Sequence, residues 1–386
     1  MSSTSTQPDA GDQPGTSDQP GGRPAAQRHT PVLLERCLDL LAPALESSPS
    51  QAGPVLIDCT LGMGGHTEAA LQRFDRLTVI GIDRDPQAVA LASQRLAPFG
   101  ERFKAVRTTY DDVLQVAAEH AQADMGGLVD GVLMDLGVSS LQLDDAPRGF
   151  SYARPAPLDM RMDQSRGRSA AELLATATTG EITRILRDYG EERFAPRIAA
   201  AIVRRREAGQ PVLTTDALVE VVRECVPAAA RRTGGNPAKR TFQALRVAVN
   251  SELDVLARAL PRALDSLRVG GRLVVESYQS LEDRLVKSEL GRGARSRAPE
   301  GLPVVPETDL PYLELLVHGA EQADEAEVAR NPRSAPVRLR AAVRTRPAAQ
   351  ASAQGRAAGS QQAARRVPSS KPVSNRDRST RGRSRR

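Results

Sequence analysis

Apolar positions along this chain follow two alternating rhythms: short β-branched runs, and longer stretches with helical spacing. Val55-Leu-Ile-Asp-Cys59 is a near-continuous apolar run, as expected of a strand buried on both faces. A Gly-rich loop follows, then a predicted helix from Thr67 to about Phe74. The stretch Leu77 to Ile82 repeats the strand pattern and ends on Asp83. The next helix carries Pro86 in its first turn, where a missing N–H leaves no bond unmade. Phe103 to Arg107 and Val129 to Asp135 read as a third and a fourth strand. Strands alternating with helices predict a parallel sheet with helices on both faces.

The rhythm breaks between about Asp144 and Leu245, where no strand pattern occurs. Helical segments are expected there at Ala170 to Leu174, Glu181 to Tyr189, Phe194 to Ala208 and Thr215 to Cys225. A helix from Asn250 to Leu267, closed by Gly270-Gly271, then leads into a fifth strand, Arg272 to Ser277. Tyr312 to Val317 and Val337 to Val343 read as two more. A helical block is thus inserted after strand four, beside the strand ends where open α/β sheets bind ligands.

Composition narrows this picture. Hydrophobic residues make up 40% of the 386, but aromatics only 3%, with no Trp, so the core must be aliphatic. No run approaches the roughly 20 apolar residues of a membrane span, and the polar first 28 residues have no signal-peptide h-region. Cys37, Cys59 and Cys225 form no C-x-x-C pair and only four His are present, so neither a disulfide framework nor a metal site is expected. A reducing, cytoplasmic compartment is the expectation. The formal charge of +6 is unevenly spread: Pro347 to Arg386 holds ten Lys/Arg against Asp377 alone, or +9, which leaves −3 for the rest. Residues 1–28 and 347–386 are too poor in apolar groups to order alone and read as disordered arms.

Candidate chemistry begins at Asp58-Cys-Thr-Leu-Gly-Met-Gly-Gly-His66, the connection from strand one to helix one. Its glycines permit close backbone approach to a ligand, and the following helix start offers free N–H groups to an anion. Asp83, 25 residues beyond Asp58 at the tip of strand two, can accept both hydrogen bonds of a ribose diol. The spacing G-x-G-G departs from the dinucleotide pattern G-x-G-x-x-G. An acid ahead of the loop would repel a pyrophosphate but suits the ammonium of S-adenosylmethionine, which is favoured here over NAD. A tight βα turn without a ligand is the simpler alternative, and Asp83 argues against it.

A second polar stretch follows strand four: Asp135-Leu-Gly-Val-Ser-Ser-Leu-Gln-Leu-Asp144, then Arg148-Gly-Phe-Ser-Tyr152 and Pro157-Leu-Asp-Met-Arg-Met-Asp163. Such aperiodic loops carry function more often than packing. With these motifs the chain resembles the RsmH/MraW family, the bacterial 16S rRNA cytosine-N4 methyltransferases. The resemblance also includes His29-Thr-Pro-Val-Leu-Leu34, Tyr189-Gly-Glu-Glu-Arg-Phe194, the stretch Arg240-Thr-Phe-Gln-Ala-Leu-Arg-Val-Ala-Val-Asn-Ser-Glu-Leu253, Ser280-Leu-Glu-Asp-Arg284 and Asn331-Pro-Arg333. It covers about residues 29–345.

The resemblance implies a Rossmann-like class I methyltransferase sheet with an inserted all-helical domain. The methyltransferase domain would span 29–143 and 246–346, and the helical substrate-recognition domain 144–245. It implies S-adenosylmethionine as cofactor, contacted by Gly64, Gly65, His66, Asp83, Tyr110, Asp135 and Gln142, and 16S rRNA of the small ribosomal subunit as partner. Asp135 is also the candidate catalytic residue, as acceptor for the target amine or as a cofactor anchor; the (S/N/D)-P-P-Y motif of DNA amino-methyltransferases is missing. Arg231, Arg232, Lys239 and Arg240 are the candidate RNA contacts, within a basic set that includes Arg197, Arg204 to Arg206 and Arg246.

Two departures stand out. The family's S-F-H-S-L-E-D-R is here Ser277-Tyr-Gln-Ser-Leu-Glu-Asp-Arg284, so Gln279 replaces a histidine and position 279 is read as a hydrogen-bonding one. N-P-R-S-R-S-A-K-L-R is here Asn331-Pro-Arg-Ser-Ala-Pro-Val-Arg-Leu-Arg340, one base short. Competing readings are a methyltransferase with another RNA or DNA substrate, a catalytically silent RNA-binding assembly factor and, more distantly, an NAD dehydrogenase.

Overall fold

Seven strands form one sheet: β1 (Val55–Asp58), β2 (Thr78–Asp83), β3 (Phe103–Arg107), β4 (Val129–Asp135), β5 (Leu267–Ser277), β6 (Leu313–Leu315) and β7 (Arg338–Arg344). Their order is β3-β2-β1-β4-β5-β7-β6. The first five run parallel, and β7 pairs antiparallel with both β5 and β6. The computed structural model that shows this describes residues 31–228, 236–299, 301 and 303–347. The direction of winding reverses between β1 and β4, the switch point that opens a crevice at the carboxyl ends of an α/β sheet.

Burial follows from the apolar runs. Every residue of β1 is buried, as are the first six of β4. One face of the sheet packs a helix, Leu34–Glu46, whose Cys37, Leu38, Leu41 and Leu45 join Leu56, Val79 and Leu133. The other packs Glu252–Ser266 through Leu256, Ala259 and Leu260 against Ile57, Ile80 and Met134. Between β4 and β5 lie the helices Ala170–Thr176, Thr179–Gly190, Ala195–Glu207, Thr215–Cys225 and Lys239–Asn250. Their apolar faces share a separate cluster that includes Leu174, Ile182, Leu186, Ile198, Ile202, Leu218, Val222 and Leu245. The Lys239–Asn250 helix runs through residue 246, where the sequence places the return to the first domain.

Several element bounds differ from their sequence expectation, and the Lys239–Asn250 helix has no counterpart in it. The helix expected over Asn250 to Leu267 begins at Glu252, because Ser251 takes a left-handed backbone (φ 52°) that ends the preceding helix. The strand expected from Arg272 begins at Leu267, and Gly270-Gly271 lies inside it. The register with β4 jumps from Val129↔Leu267 to Gly131↔Arg272, a bulge in which Gly270 has φ 82°. A Cβ on Gly271 would sit 2.9 Å from the Arg268 carbonyl oxygen, so the bulge requires glycine there.

Candidate cofactor and substrate site

The carboxyl ends of β1, β2 and β4 open into a cavity of 840 Å³. Cys59 to Met63 and Asp83 contribute one side, Asp135 to Ser140 and Gln142 another. Phe150, Tyr152, Met162, Lys239, Phe242 and Arg246 close it from the helical block.

The cofactor loop is braced from within. Gly62 N–H donates to Asp83 Oδ2 at 2.9 Å, and Asp85 N–H donates to Asp83 Oδ1 at 2.9 Å. Asp83 therefore ties the loop to the tip of β2 while lining the cavity, and each oxygen keeps a lone pair for a ribose hydroxyl. Burial pushes its carboxyl up to about 6. Asp58 is placed differently from the sequence expectation. It is buried, accepts from Thr67 Oγ1 at 2.7 Å and from Thr60 N–H at 3.1 Å, and is not part of the cavity wall. Its role here is to fasten β1 to the start of the Gly65–Arg73 helix.

Gly65 and His66 line the cavity, whereas Gly64 lies just outside its wall. Gly64 has φ 78°, and a Cβ there would come within 2.9 Å of Leu96 Cδ1, so glycine is needed for the turn itself. His66 is buried, with Nε2 3.2 Å from the Val32 carbonyl oxygen, and its Nδ1 lies 3.8 Å from Asp135 Oδ2. Tyr110 follows β3, packs against the apolar cluster around Ile82 and Leu256, and presents its ring to the cavity. Gln142 is almost wholly buried: it accepts from Ser139 N–H at 3.2 Å and donates to Asp85 Oδ2 at 3.0 Å. Much of its hydrogen-bonding capacity thus goes to holding the loop after β4.

Asp135 sits at the β4 tip, where its backbone N–H donates to Thr60 Oγ1 at 2.7 Å. Its Oδ1 accepts from the Tyr278 hydroxyl at 2.8 Å. Burial raises its carboxyl above the usual range, opposed by the neighbouring His66 and the Tyr278 bond. Beyond Tyr278, Gln279 lies in the wall as a hydrogen-bonding residue, donating to Glu282 Oε1 at 2.9 Å.

The basic residues divide. Lys239 reaches the cavity, while Arg240 is exposed and donates to the Glu191 carbonyl. Arg231 and Arg232 lie outside the described residues. Arg246 is committed to a two-bond pair with Glu252, both at 2.8 Å. Arg205 pairs with Glu220 and Glu224, and Arg206 donates to three carbonyls of residues 174, 175 and 177. These three arginines have structural partners, which counting charges along the chain could not reveal.

The sequence reading missed Asp85, Tyr278 and Asn250. Asp85 joins Arg148 Nη2 at 2.7 Å in a buried pair, and Arg148 also donates to the Met162 carbonyl at 2.9 Å. Asn250 accepts from Met162 N–H at 2.8 Å and donates to the Met160 carbonyl at 2.7 Å, and its own carbonyl accepts from Arg84 at 2.8 Å. The signal for Asp85 was present in the D-x-D of residues 83–85, since the second acid also caps the Pro86–Leu96 helix by accepting from Gln87 N–H.

A model of the MraW methylase family matches residues 26–345. Ribosomal RNA small subunit methyltransferase H of Beutenbergia cavernae is 66% identical over 322 residues, 83% of this chain and 94% of the relative. The protein of that name from Streptomyces avermitilis is 56% identical over 321 residues, 83% and 98% of the two chains. A solved rRNA methylase from Streptococcus thermophilus is 13% identical with a TM-score of 0.35, covering 80% of this chain and 93% of that one; the fold rests instead on the strand order above. Loop, strand-tip acid and family model agree: the chain belongs to the MraW methylase family and is a methyltransferase with S-adenosylmethionine as its cofactor.

Proposed function

We propose that this methyltransferase acts on 16S rRNA of the small ribosomal subunit in the cytoplasm and methylates the exocyclic N4 of one cytosine. The observation that carries this reading is the shared cavity: residues of the cofactor loop, Asp83, Asp135 and residues of the helical block line it together. The near-full-length relatives named for small-subunit rRNA support the substrate class. In this reading the helical block recognises the RNA, Lys239 and Arg240 meet phosphates, and the target base leaves its stack to enter the cavity.

When bound, S-adenosylmethionine would supply an electrophilic methyl group with its sulfur as leaving group, so the attacking amine nitrogen would have to shed one proton. The amine lone pair is delocalised into the ring, so alignment contributes most of what the protein adds. Asp83 would orient the ribose, the loop backbone and helix start would receive the amino-acid end, and Tyr110 would offer its ring to the adenine; Asp83, the loop and Tyr110 all line the cavity. Asp135 Oδ2 accepts the amine hydrogen and, as the N–C bond forms, the proton. This requires the ionised carboxylate. Mass spectrometry of rRNA from a strain lacking the gene tests the assignment: loss of one N4-methylcytosine is expected, and an unchanged level refutes it.

A further inference from the structure

Parallel pairing of β4 with β5 sets Asp135 opposite Glu276, so the residue two places beyond Glu276 emerges beside the Asp135 side chain. That residue is Tyr278, where the related motif S-F-H-S carries phenylalanine. Its ring lies against Gly137, where a Cβ would be 3.6 Å from Tyr278 Cδ2. Its backbone N–H donates to Glu282 Oε2 at 3.0 Å, anchoring the residue at the start of the Ser280–Gly293 helix. Its hydroxyl donates to Asp135 Oδ1 at 2.8 Å, and both side chains line the cavity.

We propose that Tyr278 is a positioning residue for the methyl transfer: its hydroxyl clamps Asp135 Oδ1 and leaves Oδ2, the oxygen nearer His66, to accept from the substrate amine. This rests on the reading of Asp135 as that acceptor. A carboxylate on its own can rotate about χ2 and offer either oxygen. A fixed hydroxyl donor at one oxygen removes that freedom and favours the ionised form, which is the form an acceptor needs. Burial pushes the Tyr278 hydroxyl far above its ordinary range, so it remains a donor across the working pH. The other titratable groups facing Asp135 are His66 from the loop, Asp58 from β1, Glu276 from β5 and Cys37 from the first helix. His66 favours the carboxylate form of Asp135; Asp58 and Glu276, when ionised, oppose it.

The test compares wild type, Y278F, D135N and the double variant Y278F/D135N, with small subunits as methyl acceptor. Phenylalanine keeps the ring and its packing, so Y278F retains the fold. The expected result for Y278F is a kcat lower by about tenfold, as for loss of one hydrogen bond to a charged group. KM for subunits and Kd for S-adenosylmethionine should stay within about twofold, and the acid limb of the kcat–pH profile should move to higher pH. In the D135N background the same substitution should have no further effect, because the hydroxyl acts through the carboxylate. An inactive D135N beside a Y278F with unaltered kcat and unaltered acid limb overturns the clamp and leaves the acceptor reading standing. A fully active D135N overturns the acceptor reading and the clamp with it.

Discussion

Asp83 is worth following as a single residue because its two loads compete. One is structural: it accepts from the Gly62 and Asp85 amides and so shapes the cofactor loop. The other, in the proposed function, is recognition of the cofactor's ribose diol, which would need the ionised carboxylate. Burial raises its carboxyl to about 6, so the proton returns as pH falls through that value and acceptor strength is lost. Affinity for S-adenosylmethionine should therefore be flat above pH 7 and weaken below about 6; calorimetric titration across this range checks it, and affinity unchanged down to pH 5 would contradict it. Asp83→Asn keeps the shape but turns one acceptor into a donor, and should weaken binding by roughly ten- to a hundredfold at neutral pH. Asp83 was legible from the sequence by its place at the end of the second strand. Tyr278 was not. Its partner lies 143 positions away, and only the β4–β5 register brings the two together.

Among elements, the informative contact is between the start of the Pro86–Leu96 helix and the stretch after β4. Arg148 is buried and makes its ion pair with Asp85, which also accepts from Gln142 and caps the Pro86–Leu96 helix. Arg148 Nη1 reaches Gln87 at 3.1 Å, and Nη2 the carbonyls of Arg161 and Met162. Removing one member of a buried, hydrogen-bonded pair strands the other charge and costs about 3–5 kcal/mol. Arg148→Ala is expected to lower unfolding stability by that amount in a urea titration. Stability within 1 kcal/mol of wild type would show that the latch is dispensable. At this scale the strands were read well, because buried runs such as Val55–Asp58 and Val129–Asp135 carry an unmistakable pattern. The helix Lys239–Asn250 and the break after it were not. Ser251 adopts its left-handed conformation although it is not a glycine, held between two helices whose apolar faces are both buried, so no residue type announces the turn.

For the whole molecule, the chain builds one seven-stranded sheet and a helical block entered after β4 and left before β5, with the cavity where the two meet. The alternating pattern predicted the sheet and the place of departure, and the loop predicted the methyl donor. Which arginines face solvent was decided by tertiary pairing: Arg246 and Arg205 look identical to a free base in sequence, yet both are held by carboxylates. No helix among the described residues is long and apolar enough to cross a membrane. The claim on which everything converges is that the cavity joins S-adenosylmethionine to the N4 amine of one small-subunit cytosine. The most direct test is methyl transfer from labelled S-adenosylmethionine onto purified small subunits lacking the modification, with the product nucleotide mapped by mass spectrometry. One N4-methylcytosine at a single 16S rRNA position, lost in D135N, is the expected product. Label on another atom or nucleotide, or none on subunits under conditions where the cofactor binds, would contradict it.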